Sequence, residues 1–238
     1  MRIIKSTQEK SKRLVWNEVG AGENEFLNKF MSNGQKIFFD VGARYESHIV
    51  SKLYSEDKHF HLFEPNPKFY LPLGEKYSAY KNVNVNNVAL GSSRGQMEYF
   101  EKSQSFFNRK VLHQSTPGEI LNVTTLDEYC VSNDVREIDF LKIDTEGFEL
   151  NVIRGSKEML QKIKCIQFEY GGTYIDAGIS LSGIIDELRL LSPQLKWELY
   201  MLQPGALIHI DKTDIELFET FNYANFILSK ETFNDNQI

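Results

Sequence analysis

Residues 138–155 read IDFLKIDTEGFELNVIRG. The first half, Ile138–Asp144, sets Ile138, Phe140, Leu141 and Ile143 in a short run that reads as a strand buried on both faces. The second half sets Leu150 and Ile153 at helical spacing, and Met159 and Leu160 extend that pattern. A buried strand feeding a helix is the repeating unit of parallel α/β folds. Lys142 interrupts the strand, and Asp144, Glu146 and Glu149 crowd its end. A buried lysine is costly unless paired. Three close carboxylates repel one another unless a cation neutralises them; Lys142, a metal or a positively charged ligand could each do so. A solvated helix start, where acids are favoured, accounts for Glu146 and Glu149. It does not account for Lys142 and Asp144 in line with an apolar strand.

The same alternation continues on both sides. Upstream, Ile37–Gly42 and His59–Glu64 read as strands, with Ile49, Val50, Leu53 and Tyr54 at helical spacing between them. Val83–Leu90 reads as a third strand. Downstream, Ile163–Glu169 is a fifth strand, and Leu181, Ile184, Ile185, Leu188 and Leu191 form a helix stopped by Pro193. Trp197–Leu202 and Ala206–Ile210 flank Pro204-Gly205 as a hairpin, and Ala224–Ser229 reads as a last strand. Glu23–Met31 reads as a helix with Phe26, Leu27 and Phe30 on one face. This order predicts a parallel sheet covered on both faces, with an antiparallel piece at one edge.

The composition narrows the function. The chain has 238 residues, 41% of them hydrophobic and 25% charged, with net charge −6. That suits one large soluble domain and argues against general nucleic-acid binding, which needs a basic surface. No apolar run approaches a membrane span, and the polar start is neither a signal peptide nor an anchor, so no membrane association is expected. Cys130 and Cys165 are too few and too far apart for a zinc site or a disulfide framework. A reducing cytoplasm is the expected compartment.

In open α/β sheets, ligands sit beyond the carboxyl ends of the strands. The first strand ends in Asp40-Val41-Gly42, where Gly42 lets a ligand approach the backbone. The second ends in Glu64-Pro65-Asn66-Pro67. Glu64 stands roughly 20 residues beyond Gly42, where a carboxylate holds a ribose diol. The third ends in Asn86-Asn87-Val88, whose amides could pair with an adenine edge or simply form a turn. The further glycines of a nicotinamide fingerprint are missing, which disfavours a dehydrogenase. His61 reads as a core histidine. The polar segment 101–122, with Phe106, Phe107 and His113, is either an acceptor-binding lid or a surface excursion.

The string LKIDTEGFELNVIRG resembles the signature of the FkbM-type S-adenosylmethionine-dependent methyltransferases. Thr124-Thr125-Leu126-Asp127, FFDVGA at 38–43, FEPNP at 63–67 and NNVALG at 86–91 fall in matching order. The resemblance covers roughly residues 36–230. It leaves 1–35 as an N-terminal helical or irregular extension and 231–238 as a tail. It implies the Rossmann-like class I methyltransferase fold, with a seven-stranded, mostly parallel sheet, helices on both faces and an antiparallel strand near one edge.

The resemblance also implies that S-adenosylmethionine is bound by Asp40 and Gly42 at its methionine end, by Glu64 at the ribose and by the Asn87–Ala89 region, Val88 included, at the adenine. Asp144 would sit beside the sulfonium and the acceptor. Glu146, Gly147 and Glu149 would shape that side of the pocket, and Glu169 would lie near the acceptor. Asp144 and Glu146, then Glu169, are the candidate proton acceptors for methylation of a sugar or other small polar metabolite, with a small molecule or glycan as partner. No metal is assigned. Arg44 and Glu46 depart from the family pattern: Glu46 could crowd the amino-acid end of the cofactor, and Arg44 could pair with its carboxylate. That departure motivates an alternative, a non-catalytic binding or assembly protein built on the same fold.

Overall fold

The computed structural model describes residues 1–4, 22–101, 104–106 and 118–233. His113 and Phe107 lie outside the described residues, as do 5–21 of the N-terminal extension and 234–238 of the tail.

In chain order the strands are β1 (Arg2–Ile4), β2 (Ile37–Val41), β3 (His59–Phe63), β4 (Val83–Asn86), β5 (Ala89–Leu90), β6 (Gly95–Tyr99), β7 (Glu119–Thr124), β8 (Ile138–Ile143), β9 (Ile163–Tyr170), β10 (Glu198–Gln203), β11 (Ala206–Ile210) and β12 (Ala224–Ser229). The helices are α1 (Glu23–Phe30), α2 (His48–Leu53), α3 (Pro67–Tyr77), α4 (Leu126–Ser132), α5 (Glu149–Arg154), α6 (Thr173–Ala177) and α7 (Leu181–Leu191).

The main sheet runs β1-β11-β10-β12-β9-β8-β2-β3-β4. From β9 to β4 every pairing is parallel. The expected seven strands become nine among the described residues, and three run against the rest, not one. β12 is antiparallel to both β9 and β10; β11 turns back from β10 at Pro204-Gly205; β1 adds parallel to β11 with Arg2 opposite Ala206. The additions extend the antiparallel edge and leave the parallel centre as expected. The third strand is shorter than expected. It stops at Asn86, and Ala89–Leu90 joins β7 and β6 in a separate three-stranded sheet.

Strands apolar on both faces demand two covering layers. Phe38, Phe60 and Phe140 pack with Phe26 and Leu27 of α1, Ile49 and Leu53 of α2 and Leu73 of α3. Phe39, Leu141 and Ile143 pack with Leu126 of α4, Ile153 of α5 and Ile184 and Leu188 of α7. Local chemistry starts the helices: Ser47 accepts from the N–H of Val50, Asn66 from Lys68, and Ser180 from Gly183. The described part of the N-terminal extension thus enters the sheet and both cores, with Ile4 on one side and Phe26, Leu27 and Phe30 on the other. Among the described residues, no helix is long and apolar enough to cross a membrane.

Candidate functional site

The parallel strands end together, and a cleft of about 330 Å³ opens there. Val41, Gly42, Phe63, Glu64, Leu90, Asp144, Thr145 and Glu169 line it from several strand ends. Gly42, at φ +90° just beyond β2, runs so close to the chain leaving β8 that a Cβ there would meet the Asp144 backbone. Its N–H donates to the Phe63 carbonyl at 2.9 Å, and the Asp144 N–H donates to the Val41 carbonyl at 2.9 Å. These bonds tie the three strand ends into one rim.

Glu64 is buried at 3% exposure. Its Oε2 accepts the Arg44 N–H at 3.0 Å, and its Oε1 accepts the Asn66 N–H at 2.8 Å. Burial outweighs these two bonds and pushes its pKa up to about 7. Each oxygen has a lone pair left for a ligand hydroxyl. Arg44 lies at φ +53°, with its guanidinium 5.4 Å from the Phe69 ring centroid, and it lines the cleft. Glu46 does not: it is exposed and pairs with Lys76 at 2.8 Å. The crowding expected of it is therefore absent.

At the other end, Asp144, Glu146 and Glu169 line the cleft together. Burial, then the charges of Asp144, Glu146 and Glu149, push the Glu169 carboxyl up to about 9. Glu149 stands behind the wall. Its Oε1 accepts from the Thr145 N–H at 2.8 Å and the Thr145 hydroxyl at 3.0 Å, so it shapes the turn from within.

Three expected cofactor contacts stand back from the cleft. Asp40 is buried beneath the loop, where its Oδ2 accepts the Ser47 hydroxyl at 2.6 Å. Asn87 is exposed and donates to the carbonyls of Glu64 and Pro65 at 3.0 and 2.9 Å, bracing the turn that follows β3. Val88 packs against the core, and its neighbours Ala89 and Leu90 form the wall instead. His61 is a core residue, 2.8 Å from the Tyr129 hydroxyl and held down at about 4 by burial.

Of the other lining residues, Phe106 belongs to the segment read as either a lid or a surface excursion, and Tyr99, Phe148 and Tyr223 were not singled out as site residues. Tyr99, Phe106 and Phe148 form an aromatic wall, with centroid separations of 5.5 Å (Tyr99–Phe106) and 4.8 Å (Phe106–Phe148). The Ser105 hydroxyl donates to the Glu146 carbonyl at 2.8 Å and fastens residues 104–106 beside that wall. Tyr223, ahead of β12, lines the acidic side. Phe148 was in view within the signature string; nothing marked Tyr99 or Tyr223 as more than core aromatics. Among the described residues, no three His, Cys, Asp or Glu side chains are grouped to hold a metal ion.

Residues 40–191, well over half of the chain, match the Methyltransferase FkbM domain. Hexuronic acid methyltransferase AglP of Haloferax volcanii is 27% identical over 153 residues, which are 62% of this chain and 62% of that protein. The match thus spans less than two thirds of that relative's length. The structure of a putative rRNA-methylase from Clostridium thermocellum superposes with a TM-score of 0.51 at 9% identity, covering 93% of this chain and 99% of that one. At that identity the likeness speaks for the fold alone, the class I methyltransferase fold.

Proposed function

We propose that this chain, which belongs to the FkbM methyltransferase family, transfers a methyl group from S-adenosylmethionine to a hydroxyl of a sugar or other small polar metabolite. One observation carries the reading: a single cleft joins Gly42, Glu64 and Asp144 from three strand ends, with an aromatic wall on one side and carboxylates on the other.

The donor set fits the cofactor. Glu64 lines the cleft, and each of its oxygens, with one backbone N–H bound, has capacity for one hydroxyl of a ribose diol. Tyr99, Phe106, Phe148 and Leu90 offer an apolar slot for a flat base. Asp144 supplies negative charge for a sulfonium. When bound, S-adenosylmethionine would supply an electrophilic methyl group on a positively charged sulfur. The protein's part is alignment and proton handling. Asp144 and Glu146 are within the cleft to take the proton that the acceptor hydroxyl loses. Burial and the neighbouring carboxylates favour the protonated form of Glu169, which suits it to orient the acceptor by donating a hydrogen bond.

The sugar-acid specificity in the name of the Haloferax relative supports a carbohydrate-like acceptor. The binding-only alternative rested on Arg44 and Glu46, and the Glu46–Lys76 pair leaves it Arg44 alone.

Incubation with methyl-labelled S-adenosylmethionine and fractionated glycan and nucleotide-sugar extracts tests the reading. Label in a carbohydrate fraction is expected. No transfer to any fraction together with no micromolar S-adenosylmethionine binding by calorimetry would favour the binding-only alternative, and micromolar binding would count against it in its simple form.

A further inference from the structure

Lys142 lies inside the sheet, opposite Asp40 on β2 and Gln167 on β9. Its ammonium has two carboxylates within reach: Asp144 on its own strand at 3.5 Å, and Glu23 at 3.3 Å. Glu23 is the first residue of α1 and only 5% exposed. It is held in place from several directions. Gln167 Nε2 donates to its Oε1 at 2.9 Å and to Asn225 Oδ1 at 3.1 Å. Phe26, one turn on, packs against Phe30, Phe140 and Phe233. Gly22, before it, runs so close to β10 that a Cβ there would lie 2.4 Å from the Gln203 carbonyl oxygen. Glu23 and Asn225 both fall outside the matched segment 40–191.

We propose that Glu23 is a positioning residue: it shares the Lys142 ammonium with Asp144, so that the lysine does not close fully onto Asp144 and the Asp144 carboxylate stays available to the sulfonium of the cofactor. The arrangement is a shared ion pair. With both acids present, the lysine charge is divided mainly between them, and Asp40, opposite on β2, also acts on it. Without Glu23, a buried ammonium has Asp144 as its nearest remaining partner, and the cleft loses one negative charge where a cation is to bind. The N-terminal segment thereby completes the electrostatics of a site whose walls come from elsewhere in the chain.

This inference rests on the proposed use of S-adenosylmethionine. It is tested with two ligands that differ at sulfur by one methyl and one positive charge, S-adenosylmethionine and S-adenosylhomocysteine. Calorimetry on the full chain gives the ratio of their dissociation constants for the wild type, Glu23→Gln, Lys142→Gln and the double variant. Glu23→Gln is expected to weaken the sulfonium ligand about five-fold relative to the neutral one. In the Lys142→Gln background the same change is expected to do much less. An unchanged ratio in Glu23→Gln overturns the inference, as does an equally large effect without the lysine. Wild type that binds neither ligand overturns the cofactor reading and this inference with it. Wild type that binds both, with no change in ratio, overturns this inference alone. Should Glu23→Gln fail to fold by circular dichroism, the Lys142→Gln and double variants, which bury no unpaired lysine, are compared instead. Similar ratios in those two are expected, and a five-fold difference between them overturns the route through Lys142.

Discussion

Gly42 and Asp144 meet backbone to backbone: a Cβ on Gly42 would lie 1.9 Å from the Asp144 carbonyl oxygen, and Gly42 sits at φ +90°. The segment leaving β8 that carries Asp144 is therefore seated by the absence of a side chain just beyond β2. Gly42→Ala must both enter a disfavoured backbone region and push β8 away. We expect a loss of about 3 kcal/mol in urea unfolding. Binding of S-adenosylhomocysteine should fall more than ten-fold even at temperatures where the variant stays folded.

Glu64 answers to pH in binding. Its carboxyl is pushed up to about 7 by burial, so near neutrality the free protein divides between the acid and the carboxylate. A ribose diol donates two protons and is best held by the charged form. Affinity for S-adenosylhomocysteine should therefore rise as pH goes from 6 to 8 and level off above. Glu64→Gln should flatten the profile and weaken binding by about ten-fold or more, because its amide N–H₂ faces a backbone donor. Calorimetry at four pH values is enough to show it.

Glu169 answers to pH in stability. Its folded pKa, about 9, lies above the ordinary value of 4.5, so the folded protein keeps a proton that the unfolded chain releases. The contribution is fully present below about 4.5 and is lost as pH rises toward 9. Glu64 and Glu149, each pushed up to about 7, act in the same direction over the lower part of that range. The melting temperature should fall from pH 5 to pH 9. In Glu169→Gln the fall between pH 7 and 9 should shrink, while the part below 7 remains.

The parallel centre was legible because β2 and β3 are short apolar runs closed by turn signals, at Phe38–Gly42 and Phe60–Pro65. The third strand was read too long because Val88-Ala89-Leu90 is as apolar as a strand continuing β4. What bends the chain there is the Asn87 side chain bonding back to Glu64 and Pro65, a contact across the sheet that local pattern does not show. β1 escaped because three residues carry no periodicity. β6 and β7 escaped because their exposed faces are polar, as in Gly95-Gln96-Met97-Glu98. Of the site, the acids at the strand ends were visible, and Lys142 announced that it needed a partner. That its partner is Glu23, from a helix far earlier in the chain, depends on tertiary packing alone.

The end of the sheet away from the cleft offers a control that separates folding from binding. Asp139, at the start of β8, is 2% exposed. Its Oδ2 accepts the N–H groups of Lys36 and Ile37 at 2.6 and 2.9 Å, and its Oδ1 is 2.5 Å from Lys164 Nζ. Burial alone would raise its pKa, but Lys164 and the two backbone donors outweigh that and hold it below the usual value. Its stabilisation is present above the ordinary aspartate pKa and is lost as pH falls through the lowered one. Asp139→Ala leaves two donors and an ammonium without their acceptor, so unfolding should become easier by about 2–4 kcal/mol at pH 7. That deficit should narrow on acidification below pH 4, where the wild type loses the same interaction. The residue is remote from Gly42, Glu64 and Asp144, so folded Asp139→Ala should bind S-adenosylhomocysteine with unchanged affinity. A matching loss of affinity would mean that the cleft depends on the stability of the whole sheet and not on its own rim.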